Sequence, residues 1–230
     1  MTRSWSRLAA VGLSLAAAGP SAAAASYPPV EQATFHQLLF ANDDVAVLKN
    51  VYPPHSDSGY HVHSRGLFYV VITPARFGSQ KLGQELKTPP MILAGGTGYN
   101  LMTAEPLIHR VVNDDERTCE IIAIELRRAA SNGNALSVRP ANYVQIFDNQ
   151  RMRAWRLVLA PGQMAPAMSQ GANGVRVVVR GGLLVTSRAG VEDQKLALQP
   201  GDTSLQLAGE SRAVRNTGTT PMELVEIELK

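Results

Sequence analysis

The chain carries one pattern twice. Glu120-Ile121-Ile122-Ala123-Ile124-Glu125-Leu126-Arg127 recurs as Glu223-Leu224-Val225-Glu226-Ile227-Glu228-Leu229-Lys230, an offset of 103 residues (223 − 120). Asn113 and Asn216 stand at the same offset. Nearer the start of each copy, Tyr52-Pro53-Pro54 is matched to Ala160-Pro161-Gly162, and Val70-Val71 to Val178-Val179, both at an offset of 108. The change from 108 to 103 places a five-residue shortening inside the second copy. Self-similarity at a long fixed period means two like units rather than one fold of 230 residues. The small, polar run Ala129-Ala130-Ser131-Asn132-Gly133-Asn134 is the natural joint.

What each unit folds into follows from its short runs rich in Val, Ile, Leu and Tyr. They cover residues 45–52, 67–73, 107–112 and 120–127, then 152–159, 175–179, 183–187 and 222–229, each bounded by Gly, Pro, Asn or Asp. No long amphipathic helical period interrupts them. Strands at this spacing predict an all-β sandwich or barrel. Ser26 to about Gln37 has little pattern and is expected to pair at an edge or drape over the first unit.

The first 25 residues stand apart. Arg3 and Arg7 precede an apolar stretch from Leu8 to Gly19, and Ser21-Ala22-Ala23-Ala24-Ala25 offers a small-residue cleavage site. This reads as a secretory signal peptide rather than an anchor, because the apolar run is too short to span a bilayer. The expected address is secreted or periplasmic, with no membrane attachment after cleavage. Removing the leader takes two of 22 basic residues and none of 19 acidic ones, so the mature charge is 20 − 19 = +1. Such a balance gives no electrostatic footprint for nucleic acid. The one cysteine, Cys119, excludes an internal disulfide and lies in an apolar run, as a buried hydrophobe would.

Histidine placement carries the chemistry. His61 and His63 flank Val62 in a strand-like segment, and alternate strand residues share a face, so both imidazoles can aim at one point. His109 lies in a second strand-like run. Three convergent imidazoles suit a divalent transition metal, Zn, Fe, Mn, Ni or Cu, with a coordination position left open. Tyr60, Arg65 and Tyr99 are further candidates for the pocket mouth, as hydrogen-bond donors or as a partner for an anionic substrate. Ile122, Ile124 and Leu126 share one side of their strand and are expected to form the apolar wall around the metal, with Glu125 and Arg127 on the other. His36 and His55 are expected to lie elsewhere.

Together these features resemble the cupin family. A Pro-bearing turn (Tyr52-Pro53-Pro54), His61-Val62-His63, Pro106 and His109-Arg110-Val111-Val112-Asn113 follow the order of the two cupin motifs. The second copy keeps Pro161-Gly162, Pro200-Gly201-Asp202 and Asn216. The resemblance spans nearly all of the mature chain and implies a bicupin of two jelly-roll barrels, over residues 26–128 and 138–230. It implies a metal site for oxidation, isomerisation, lyase chemistry or decarboxylation of a small organic substrate. The chain also departs from the pattern. The family's acidic ligand would fall at Leu67 or Phe68, neither of which can coordinate. In the second copy, the two offsets set Ser169, Gly171 and Arg212 opposite His61, His63 and His109, so that copy is expected to be metal-free and structural, a pocket-covering or dimerising partner. The alternative is a decayed metal site in a non-catalytic ligand-binding or structural protein.

Overall fold

A computed structural model describes residues 26–100, 105–129 and 137–230. The leader, and all of the joint after Ala129, lie outside the described residues. Among the described residues, a 3₁₀ turn at Val30–Gln32 precedes eighteen strands. The first nine are β1 (His36–Ala41), β2 (Val45–Tyr52), β3 (Ser56–Asp57), β4 (His61–His63), β5 (Gly66–Val71), β6 (Phe77–Lys81), β7 (Thr97–Asn100), β8 (Leu107–Asn113) and β9 (Cys119–Leu126). The others are β10 (Tyr143–Asp148), β11 (Met152–Leu159), β12 (Met164–Ser169), β13 (Gly174–Arg180), β14 (Gly182–Arg188), β15 (Val191–Leu198), β16 (Thr203–Gln206), β17 (Ser211–Asn216) and β18 (Met222–Leu229).

In the first half the sheet β1-β2-β9-β5-β7 faces the sheet β3-β8-β4, with β6 added on β8. In the second half β10-β11-β18-β13-β16 faces β12-β17-β14-β15. Among the described residues, no strand pairs across the halves. The strand ladders are antiparallel throughout, and the fold is all-β, two jelly-roll barrels in tandem.

The ladders give the repeat its true register. Val45 pairs with Leu126 and Met152 with Leu229; Phe68 pairs with Ile124 and Val175 with Ile227. With the 103-residue offset of β9 and β18 held, the preceding strands correspond at 107 (152 − 45 and 175 − 68), not 108. The bulge of the first hairpin agrees as well: Leu38/Phe40 in β1 returns as Gln145/Phe147 in β10. The shortening is therefore four residues. A one-residue error is not small in a β protein, because side chains alternate between faces and every assignment inverts.

The facing of β9 decides the core. Ile122, Ile124 and Leu126 do not wall a pocket. They join Val45, Val47, Phe68 and Val70 in a cluster with Met152, Ala154, Val175, Val177, Val225 and Ile227 of the second half. The two long sheets pack face to face, and both faces of β9 and β18 are buried. Burial of such apolar side chains is worth about 25 cal/mol per Å² removed from water. Polar contacts reinforce the seam: Asn173 Nδ2 donates to Asp44 Oδ2 at 2.7 Å, and Arg151 Nη2 to the Leu126 carbonyl at 3.2 Å. The interior of the first barrel instead receives Tyr52, Val71, Phe77, Val111, Cys119 and Ile121. Cys119 is buried, and burial, with Asp115 and Glu120 nearby, pushes its thiol up to about 12, as befits an inert packing group.

Asn113 and Asn216 hold equivalent corners. Asn113 Nδ2 donates to the carbonyls of Tyr52, Pro53 and Arg117; Asn216 Nδ2 donates to those of Leu159 and Thr220. Both side chains are fully buried, so each tethers the strand end to the turn that enters the barrel.

Candidate metal centre

The short strand β4 pairs with β8 so that His61 stands opposite His109, while His63 stands opposite Leu107. Alternation turns His61 and His63 to the same interior face, and His109 meets them from the neighbouring strand. All three are buried, and one ring nitrogen from each lies within 4.8 Å of the other two. Ring centroids are 4.6 Å apart for His61 and His109, 5.0 Å for His63 and His109, and 5.1 Å for His61 and His63.

Each ring is held from behind at Nδ1. His61 Nδ1 lies 3.1 Å from the Gly59 carbonyl, His63 Nδ1 2.9 Å from Glu125 Oε1, and His109 Nδ1 2.9 Å from Ser79 Oγ on β6. A carbonyl can only accept, so His61 carries its proton on Nδ1 and a lone pair on Nε2. Nε2 of His61 and of His109 is buried without a hydrogen-bond partner. Metal-binding imidazoles have this arrangement, one nitrogen oriented by an outer group and the other free to coordinate. Burial is the main cause of low basicity here. It lowers His61, and with neighbouring imidazoles it holds His63 at about 3 and His109 at about 2, so the rings stay neutral, the state that binds cations.

A fourth histidine belongs to this place, against expectation. The segment from Tyr27 to Phe35 crosses the barrel mouth, with Val62 N–H donating to the Pro28 carbonyl, and β1 begins at once with His36. His36 packs on His61 with centroids 4.6 Å apart and lines the same cavity. Its two nitrogens are engaged, Nδ1 with the Thr34 carbonyl at 2.8 Å and Nε2 with the Tyr52 hydroxyl at 3.2 Å, and burial, with His61 and His63 adding, lowers it to about 3. It is therefore a wall of the site. His55 lies apart on the surface, beside Glu116.

Glu125 is the other residue the sequence pattern misplaced. It shares the inward face of β9 with Ile121 and Ala123, and it pairs across the ladder with Leu67. A carboxylate thus reaches the site from the strand next to the one where the cupin acid would fall, and it reaches His63 rather than the shared focus of the three rings. Burial raises the Glu125 carboxyl to about 7, with Arg65 and Arg127 pulling the other way. The cavity beside the triad measures about 150 Å³ and is lined by His36, Asn50, Tyr69, Asn100, His63 and His109 among others.

The proposed mouth residues do not gather there. Tyr60 stacks on Tyr27 at 5.8 Å with Arg110 over its ring at 5.5 Å. Arg65 is exposed and donates to the Arg127 carbonyl at 2.8 Å. Tyr99 packs on Phe147 at 5.3 Å, against the seam between barrels. None of the three lines the cavity.

In the second barrel the corrected register replaces two of the three expected counterparts. Arg212 pairs with Met168, as His109 pairs with His61, so Met168 and Gln170 (168 − 61 = 107, 170 − 63 = 107) answer the two first-motif histidines. Both are buried, whereas Ser169 and Gly171 face outward. Met168, Gln170 and Arg212 form no cluster of metal-binding side chains.

No family model matches the sequence, and no curated protein matches it. Solved structures do. AerE from Microcystis aeruginosa superposes with a TM-score of 0.62 at 10% identity, over 89% of this chain and 99% of that one. A cupin 2 conserved barrel domain protein from Leptotrichia buccalis gives 0.51 at 11% identity, over 85% and 88%. Oxalate decarboxylase from Bacillus subtilis, a protein with Mn(II) centres, gives 0.58 at 11% identity, over 81% and 69%. The chain has the cupin fold. Two barrels of this fold stand in tandem, and identities this low speak to architecture alone. The histidine triad stands in the first barrel, on the strands that carry the two motif segments of the sequence.

Proposed function

We propose that His61, His63 and His109 hold a divalent transition metal, and that the first barrel is the metal-dependent site of an exported bicupin enzyme acting on a small organic molecule. The observation that carries this reading is the orientation of the rings: Nδ1 of each is held by Gly59, Glu125 or Ser79, while Nε2 of His61 and His109 is buried with no protein partner. Burying an unpaired polar nitrogen is costly, and a cation at the shared focus removes that cost. The donor set fits Zn, Fe, Mn, Ni or Cu.

Such an ion would polarise a carbonyl or lower the pKa of a bound water, which serves lyase, isomerase or oxygenase chemistry. The protein's own contribution is separable. Three ligands leave positions open to substrate, because Leu67 stands where a fourth, acidic ligand would. Ser79 and Glu125 fix the ring planes. As the carboxylate, Glu125 accepts from His63 Nδ1–H and leaves the lone pair on Nε2. Asn50 Oδ1 has no partner and lines the cavity with Tyr69 and Asn100, offering hydrogen bonds to a polar substrate. Export rests on the leader in residues 1–25.

Elemental analysis of the protein purified from its native compartment is the test. The expected result is about one equivalent of metal per chain, reduced at least tenfold in His109→Ala, whose circular dichroism matches the parent. Full metal content in His109→Ala, or no uptake by the parent from any of the five ions, would overturn the reading.

A further inference from the structure

The second barrel has lost metal ligands without becoming apolar. Arg139, Arg176 and Arg212 converge on the fully buried carboxylate of Glu226. Arg176 Nε and Nη2 both lie 2.8 Å from its Oε1, Arg139 bonds its Oε2, and Arg212 Nη2 lies 3.6 Å from Oε2. A second buried carboxylate, Glu228, stands 3.9 Å from Arg139, but its Oε1 already accepts from Ser137, Gly171 and Ala172. Three guanidiniums thus share two carboxylates, which leaves one buried positive charge in excess. Burying a charge without a counter-ion is expensive, so a stable fold usually neutralises it.

The excess has a place to act. Arg212 and Arg176 line a cavity of about 260 Å³ inside the second barrel, with Thr186, Ser204 and Gln206 in the same wall. Arg212 is only 4% exposed, yet its Nη1 has no hydrogen-bond partner. Of the two acids that also line the cavity, Glu210 pairs with Arg188 at 3.2 Å, while Asp202 is exposed and accepts from Gln199 N–H at 2.7 Å. Arg212 occupies the position of His109, and the position of His63 is taken by Gln170, whose Oε1 lies 3.4 Å from Arg212 Nη2.

We propose that this cavity is an oxyanion-binding site, taking a small molecule through a carboxylate or phosphate group held by Arg212 and Arg176. A planar guanidinium with a free nitrogen is suited to such groups, and the neutral hydroxyl and amide neighbours fit the remainder of a polar ligand. The site uses the barrel position that carries the histidines in the other half, with the electrostatic sign reversed.

Calorimetric titration of the full chain with malonate and with inorganic phosphate, after metal removal, tests this. At least one probe should bind, and which one binds separates carboxylate from phosphate recognition. Arg212→Met leaves two guanidiniums against two carboxylates, so it should fold, and its affinity should fall roughly ten- to a hundredfold, the loss of a charge-assisted hydrogen bond. Arg212→Lys should fall less and serves if the first variant does not fold. His61→Ala should bind as the parent does. Absence of binding by both probes at millimolar concentration, unchanged affinity in both Arg212 variants, or loss of binding in His61→Ala would each overturn the proposal.

Discussion

Where the first barrel places His109 on β8, the second places Arg212 on β17, and the contrast spreads from there. The first interior joins four buried or half-buried imidazoles to one carboxyl, Glu125. The second joins three guanidiniums to Glu226 and Glu228. The strand frame, the bulge of the first hairpin and the asparagine corners are shared. One scaffold therefore gathers neutral bases that suit a cation in one half and fixed cations that suit an anion in the other. The fold supplies convergence of inward positions and leaves the sign of the ligand to a few side chains.

The most severe way to break this comparison is Glu226→Gln. It would leave three buried guanidiniums without their common counter-ion, at a cost of about 3–5 kcal/mol, read from denaturant unfolding. A loss below about 1 kcal/mol would mean that the arginines do not depend on Glu226.

Acid should separate the two interiors next. Burial keeps His36, His63 and His109 far below their ordinary value of 6.5, so the unfolded chain binds more protons than the folded one. Metal-free protein should then lose stability as pH falls below about 6.5. Glu125, raised to about 7 by burial, works in the opposite sense but is one group against three. Burial alone would raise Glu226, but Arg176, Arg139 and Arg212 overcome it and hold the carboxyl at about 2. Its stabilisation is present above the ordinary 4.5 and is lost as pH falls from there toward 2. Melting temperature against pH should fall in two stages, with Glu226→Gln removing the lower one. A flat profile between pH 7 and 5 would contradict the account of the histidines.

Asn113→Ala and Asn216→Ala sharpen the likeness instead of the difference. Each should cost about 1–3 kcal/mol by stranding buried carbonyls. A large cost in one and none in the other would show that the two corners are not equivalent. The smallest effect is expected from Arg65→Ala, within about 0.5 kcal/mol and with metal content unchanged, because its side chain is exposed and outside the cavity.

Much of this was legible in the residues. The repeat, the strand runs and the His61, His63 and His109 set all follow from local pattern, which the ladders of antiparallel strands preserve. Two misreadings have specific causes. The 108-residue offset rested on short Pro and Val matches, which tolerate a shift of one; the strand pairings require 107, and that residue exchanges Ser169 and Gly171 for Met168 and Gln170. The alternation along β9 is legible in the sequence but the direction of its faces is not, since isoleucines at a seam between barrels look the same as isoleucines lining one. The repeated acids Glu125 and Glu228 were the available clue: charged residues kept at equal positions within apolar strands point to a polar interior.

By itself, then, the sequence determined that the chain is two β units and that three histidines of the first fall at motif positions, because period and spacing are local properties. Only the tertiary structure decided which face of each strand looks inward, that His36 and Glu125 join the triad, and that Arg139, Arg176 and Arg212 meet around Glu226. Those residues come from separate strands and loops, and their meeting depends on how the sheets close and pack.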